Sequence, residues 1–256
     1  MCNPKYLISA CLLAGLAAAP AALASHILTY QITTDTYLDS ANSSKNYGLS
    51  GSDKVVINST SMCRTVFGLP AGLWSYAPGD IVSATVSFYV WNDNTATYNV
   101  SLFPLTTSFV TGTGSNSGTT PANGATWLTS DGTTLWATAG GDFDSVHSVV
   151  GTKGAVGVNP NDGNGRFFTW DITSLLADST ATSELQDFGA MLRIDETVPP
   201  SGQRFASFTS ANSATYTAPY LPALVLTVIP EPSSLLLSVL GMAAVGWFLK
   251  RRQGRS

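Results

Sequence analysis

The chain predicts an all-β fold, a single antiparallel β-sandwich of jelly-roll type, flanked by an N-terminal signal peptide and a C-terminal transmembrane helix. Three observations carry this. Thr, Ser, Gly, Val and aromatic residues dominate while Lys and Glu are scarce, the usage of strands and turns rather than helices. Ile81 to Trp91 alternates with period two: Val82, Ala84, Val86, Phe88 and Val90 share one face, and Ser83, Thr85, Ser87 and Tyr89 the other, the pattern of a half-buried strand. Apolar runs at both ends set aside residues 25–229, enough for one sizeable core.

The elements follow in chain order. Leu28 to Ile32, Thr36 to Asp39, Lys54 to Ile57 and Thr65 to Phe67 read as short strands before the long one. Tyr98 to Leu102, the aromatic-rich Arg166 to Thr173, Gly189 to Ile194 and Phe205 to Thr209 follow it. Leu224, Leu226 and Val228 repeat the alternation near the end of the ectodomain. Only Ser174 to Asp178 and Ser183 to Gln186 read as helical, for about a turn each. Thr111 to Ala125 and Gly151 to Gly165 are polar and Gly-rich, long loops of the kind that often carries function. Many short strands with almost no helix mean a sandwich or barrel.

At the N-terminus Lys5 precedes an apolar stretch, Tyr6 to Leu16, and Ala22-Leu23-Ala24 has the small-x-small form of a signal peptidase site. Cleavage after Ala24 makes residues 1–24 a signal peptide and Ser25 the first mature residue. Cys2 and Cys11 leave with it, so the mature chain keeps Cys63 alone and forms no intramolecular disulfide. A single thiol in an oxidising compartment is expected to be buried as a small apolar residue.

At the C-terminus Pro230-Glu231-Pro232 precedes Ser233 to Leu249, a run of 17 residues without a charge, and then Lys250, Arg251 and Arg252 in a basic tail, 250–256. The run reaches the lower end of what crosses a bilayer as a helix, and the basic cluster stays on the cytoplasmic side. The tripeptide, the hydrophobic helix and the basic end, in that order, resemble the PEP-CTERM sorting signal of Gram-negative bacteria. The alternative is a plain C-terminal anchor. The resemblance implies recognition by an exosortase-type transpeptidase at the inner membrane, cleavage near the tripeptide, and delivery to the envelope or extracellular matrix.

Between Ser25 and Glu231 stand sixteen acidic and seven basic residues, a net charge near −9. An ectodomain of that charge lacks the positive footprint nucleic acid requires. Only His26 and His147 are present. They do not suffice for zinc with one mature Cys, no nucleophile-elbow pattern exists, and nothing in sequence pairs two of the thirteen aspartates for acid–base hydrolysis. The expected class is therefore non-enzymatic. A structural calcium stays open, with Asp142 and Asp144 in one loop and Asp162 in another as candidates; neither loop has the spacing of an EF-hand, and Asp, Asn and Gly are also ordinary turn residues.

Within the ectodomain Thr34-Asp35-Thr36-Tyr37-Leu38, Asn46-Tyr47-Gly48, Arg64 to Pro70, Ile81 to Phe88, Gly124 to Trp127, Trp136 with Gly140-Gly141-Asp142, Trp170 to Thr173 and Pro219 to Leu224 occur in an order that resembles the DNRLRE-type domain. That is a β-sandwich grouped with carbohydrate-binding modules. The resemblance implies an extracellular polysaccharide ligand, with Trp127, Trp136 and Arg64 as contact candidates and Tyr89 or Trp91 beside them. Each also has a reading without a ligand: the indoles plug the edge of the sandwich, Arg64 anchors a strand by its guanidinium fork, Asn46-Tyr47-Gly48 is a turn with glycine at positive φ, and Asp171 caps the turn after it. Some relatives bind acidic polysaccharides; seven basic residues and the net charge oppose a polyanion here. Polysaccharide binding, an inert structural role in the surface or matrix, and a polysaccharide-active enzyme stand in that order.

Overall fold

A computed structural model describes residues 25–93, 98–115, 117–118, 123–158, 165–196 and 203–229. The expected signal peptide, the tripeptide and the C-terminal helix at 233–249 lie outside the described residues, within which no helix is long and apolar enough to cross a membrane.

The strands are β1 His26–Gln31, β2 Asp35–Asp39, β3 Ser52–Ile57, β4 Met62–Phe67, β5 Ile81–Asp93, β6 Val100–Pro104, β7 Val149–Val150, β8 Thr152–Lys153, β9 Arg166–Asp171, β10 Ala190–Ile194, β11 Arg204–Thr209 and β12 Ala223–Val228. Helices α1 (Thr173–Ala177) and α2 (Ser179–Asp187) follow β9. The main path runs β1-β12-β5-β11-β3-β4-β10-β6-β7, with β2 on β4, β9 on β5 and β8 on β9. Pairing is antiparallel wherever its register is defined. This curled, predominantly β architecture fits the sandwich expected from the sequence.

The long strand β5 organises it, pairing with β12 from Ile81 to Ser87, with β9 from Thr85 to Val90 and with β11 from Val90 to Asp93. Ala84, Val86, Phe88 and Val90 are fully buried as the alternation requires, whereas Val82 is exposed: Ile81 pairs with Val228 and Ser83 with Thr227, so Val82 is the extra residue of a bulge that breaks the alternation. The principal core gathers these with Phe168 and Trp170 of β9, Ala206 and Phe208 of β11, Leu224 and Leu226 of β12, and Leu175, Leu176, Ala181 and Leu185 of the helices. Phe88 meets Phe67, Trp170 and Phe208 edge-on at centroid separations of 5.2–6.1 Å, an arrangement aromatic quadrupoles favour over a flat sandwich.

Asp178 caps α2, accepting from the N–H groups of Thr180 and Ala181. Asp171 accepts from Thr173 N–H in a turn entering α1, whose N-cap is Ile172 without a side-chain bond; the expected capping by Asp171 is thus a turn contact one residue earlier. Gly48 does not take positive φ. It is required for close approach, since a Cβ there would overlap the carbonyl oxygens of Thr111 and Gly112.

Candidate functional site

Asn46 is fully buried and spends its whole amide on the long loop: Nδ2 donates to Thr111 O at 2.7 Å and Ala125 O at 2.9 Å, and Oδ1 accepts from Gly48 N at 3.2 Å and Gly114 N at 2.8 Å. The segment expected to be a simple turn is therefore a clasp that holds the long loop at Thr111 and Gly114 on one side and Ala125 on the other.

The three glycan-contact candidates meet in one place, and it is inside the molecule. Trp127 is 7% exposed and Trp136 5% exposed, in a second core with Leu38, Val66, Leu105, Ala125 and Met191. Trp136 Nε1 donates to Thr126 O at 2.9 Å. Arg64 stacks on Trp127 at 5.0 Å, donates from Nη1 to Gly140 O at 2.9 Å, and grips Glu196 with both tines, Nε to Oε1 at 3.0 Å and Nη2 to Oε2 at 2.8 Å. Arg193 also donates to Glu196 Oε2 at 2.9 Å and lies 4.7 Å from the Phe143 centroid. Neither indole offers a free face to a sugar ring, and the guanidinium already spends donors on Glu196 and Gly140. The geometry is that of an edge plug.

The calcium candidates are likewise engaged. Asp142 accepts from the N–H groups of Ala137 and Thr138 and from the Thr107 hydroxyl. Asp144 accepts from Val146 N–H and pairs with His147 Nδ1, while His147 Nε2 lies 3.6 Å from Asp178. Burial works against the Asp144 charge, but the His147 ring and the neighbouring N–H groups outweigh it and hold the carboxyl below its ordinary range. The hydrogen bond to Asp144 holds His147 above its usual value against partial desolvation. A carboxylate at each nitrogen favours the protonated imidazole. Asp162 lies outside the described residues. Among those described, no group of three or more His, Cys, Asp or Glu is arranged to hold a metal ion. Cys63 is a buried free thiol, which burial and then Asp39 push up to about 12.

An accessible cleft of about 440 Å³ opens elsewhere, between the start of β3, the far end of β5 and the turn after β11. Leu49, Ser52, Trp91, Asn212, Ser213 and Tyr216 line it. Trp91 reaches it through a β-bulge: Val90 pairs with Phe208 and Asn92 with Ser207, so Trp91 is the extra residue on β5, and such a residue is re-aimed out of the regular pleat. Tyr216 leans on Tyr89 at 5.3 Å and on Tyr220 at 6.3 Å, with Tyr89 in turn against Phe167 at 5.4 Å. A stack of rings behind it holds that phenol in place.

The turn carrying Asn212 to Tyr216 is tied down from below. Ser210 Oγ and Ala211 N donate to the two oxygens of Asp35 at 2.9 and 2.7 Å, Asn212 Nδ2 donates to Gly48 O at 2.9 Å, and Tyr216 N to Ser213 Oγ at 3.2 Å. Sequence reasoning placed Trp91 among the stacking residues but not this turn. The available signal was Tyr216 and Tyr220 embedded in a Ser-, Asn- and Ala-rich connection, where aromatics have no core of their own to enter.

No curated protein matches the chain. Residues 228–252 match the family model of the PEP-CTERM protein-sorting motif. The match begins at Val228, the last paired residue of β12, so the folded sheet and the sorting signal abut in sequence. That motif makes this an exported chain, transiently anchored in the membrane and released to the cell surface by exosortase.

Proposed function

We propose that the exported ectodomain is a non-enzymatic β-sandwich of DNRLRE type that binds an uncharged extracellular polysaccharide in the cleft framed by Trp91 and Tyr216. The observation that carries this reading is the cleft's chemistry. It combines an indole re-aimed by a bulge, a phenol braced from behind, and amide and hydroxyl groups from Asn212, Ser213 and Ser52, with no charged side chain in its lining. Aromatic faces take the apolar C–H face of a pyranose, and a few polar groups around them bond its hydroxyls. A neutral glycan also suits the net charge near −9, which repels a polyanion.

The test is an array of neutral and acidic glycans probed with the mature chain and with Trp91→Ala and Tyr216→Ala. Retention on neutral glycans is expected, weakened about tenfold by either change, the equivalent of ~1.4 kcal/mol of lost stacking. Trp127→Ala is expected to act through stability alone. A blank array supports instead a structural role in the surface or matrix; binding that survives both cleft variants removes this cleft from the proposal.

A further inference from the structure

Asp35 and Asp53 face each other beneath the cleft turn, each 1% exposed. Asp35 accepts from Ser210 and Ala211. No N–H or O–H group donates to either carboxylate oxygen of Asp53, whose side-chain contact is with the Asp35 carboxyl. Other shielded acids are satisfied: the Asp93 side chain, 3% exposed, is met by Lys153 at 3.2 Å and Arg166 at 3.5 Å, Glu196 is shared by Arg64 and Arg193, and Asp39 accepts from Ala41 N, Asn42 Nδ2 and Ser61 Oγ. No ion pair is formed by Asp35 or Asp53 among the described residues; the nearest lysine in sequence, Lys54, lies over the Tyr37 ring. Two buried carboxylates without a counter-charge are not a stable arrangement. A single proton shared between them would engage one oxygen of Asp53 and leave the other unpaired.

We propose that Asp35 and Asp53 form a buried calcium site that locks the cleft turn to the sheet. The two carboxylates supply up to four hard oxygen donors and cancel a charge of +2. Calcium fits better than magnesium because it accepts irregular oxygen sets, whereas magnesium demands near-ideal octahedral geometry. Since Asp35 holds Ser210 and Ala211, the ion would organise the residues leading into Asn212 and Tyr216. The site is independent of what occupies the cleft, and its test involves no glycan.

The experiment is thermal unfolding of the full-length chain in mild detergent after EDTA treatment, titrated with calcium and separately with magnesium. Extracellular calcium modules bind at about 0.1–1 mM. Calcium tenfold above Kd is expected to raise Tm by about 3–6 °C, with magnesium much weaker. Asp53→Asn, which keeps the shape and removes one charge, is expected to abolish the calcium shift while the metal-free variant melts no lower than the metal-free parent. Terbium luminescence, sensitised by nearby tyrosines, reads occupancy directly should that variant fold poorly. A parent chain with neither a calcium-dependent Tm nor bound terbium refutes the site. A calcium shift that persists in Asp53→Asn and disappears in Asp162→Asn also refutes it, placing the ion in the other loop.

Discussion

Replacing Arg64 with alanine separates a structural from a ligand-binding role for one of the three residues that the resemblance offered as glycan contacts. The substitution removes the two-tined grip on Glu196, the bond to Gly140 O and the stacking on Trp127 and Phe143. Breaking a buried ion pair by deleting one partner costs about 3–5 kcal/mol. The lower part of that range, about 3–4 kcal/mol, applies because Arg193 continues to neutralise Glu196 at 2.9 Å. For a domain of this size each kcal/mol shifts Tm by about 2–4 °C, so Arg64→Ala is expected to melt about 6–16 °C lower. Glu196→Gln should fall at least as far, because it leaves two guanidiniums facing a neutral amide. In the Arg64→Ala/Glu196→Gln double variant the loss should be less than the sum of the singles, since the two partner charges are then removed together. Differential scanning calorimetry reads all three. A Tm change under about 2 °C accompanied by lost glycan binding would refute the argument and return Arg64 to the ligand.

Two further outcomes follow from the same geometry. Asn46→Ala strands two carbonyls and two N–H groups around a buried site; at about 1–3 kcal/mol for each buried group that finds no water, a loss of at least ~3 kcal/mol is expected, with proteolysis beginning in residues 111–125. For His147, whose folded pKa is raised, the stabilisation is fully present below the unfolded value near ~6.5 and is lost as pH rises through the folded one. For Asp144, whose folded pKa is lowered, it is present above about 3.9 and lost as pH falls. The stabilising contrast between the parent and His147→Gln should therefore peak between about pH 4 and 6.5 and shrink on either side; a contrast that grows above pH 8 would contradict the pairing.

Most strands were legible because their information is local. Ile81 to Trp91 announces itself by alternation, and β5 spans Ile81–Asp93; the closing leucines mark β12, and the aromatic run from Arg166 marks β9. The two-residue strands β7 and β8 fall below any periodicity, and α2 extends from Ser179 to Asp187 where the sequence suggested a single turn. Asp178, a capping aspartate at its start, was the unread signal there. The site was much less legible. A tryptophan beside a long loop plugs an edge or meets solvent according to what packs over it, and Trp127 was claimed by Arg64, distant in sequence.

By itself the sequence determined an exported chain with a β-rich ectodomain of acidic charge and the sorting motif that the family model matches at residues 228–252. These are properties of contiguous residues: a tripeptide, an apolar run, a basic end, an alternation of period two. Only the tertiary structure decided that Trp127 and Trp136 belong to a core, that a bulge turns Trp91 toward a cleft, and that Asp35 and Asp53 meet across the fold. Each of these depends on pairing between strands far apart in the chain, where a one-residue shift in register exchanges the buried face for the exposed one.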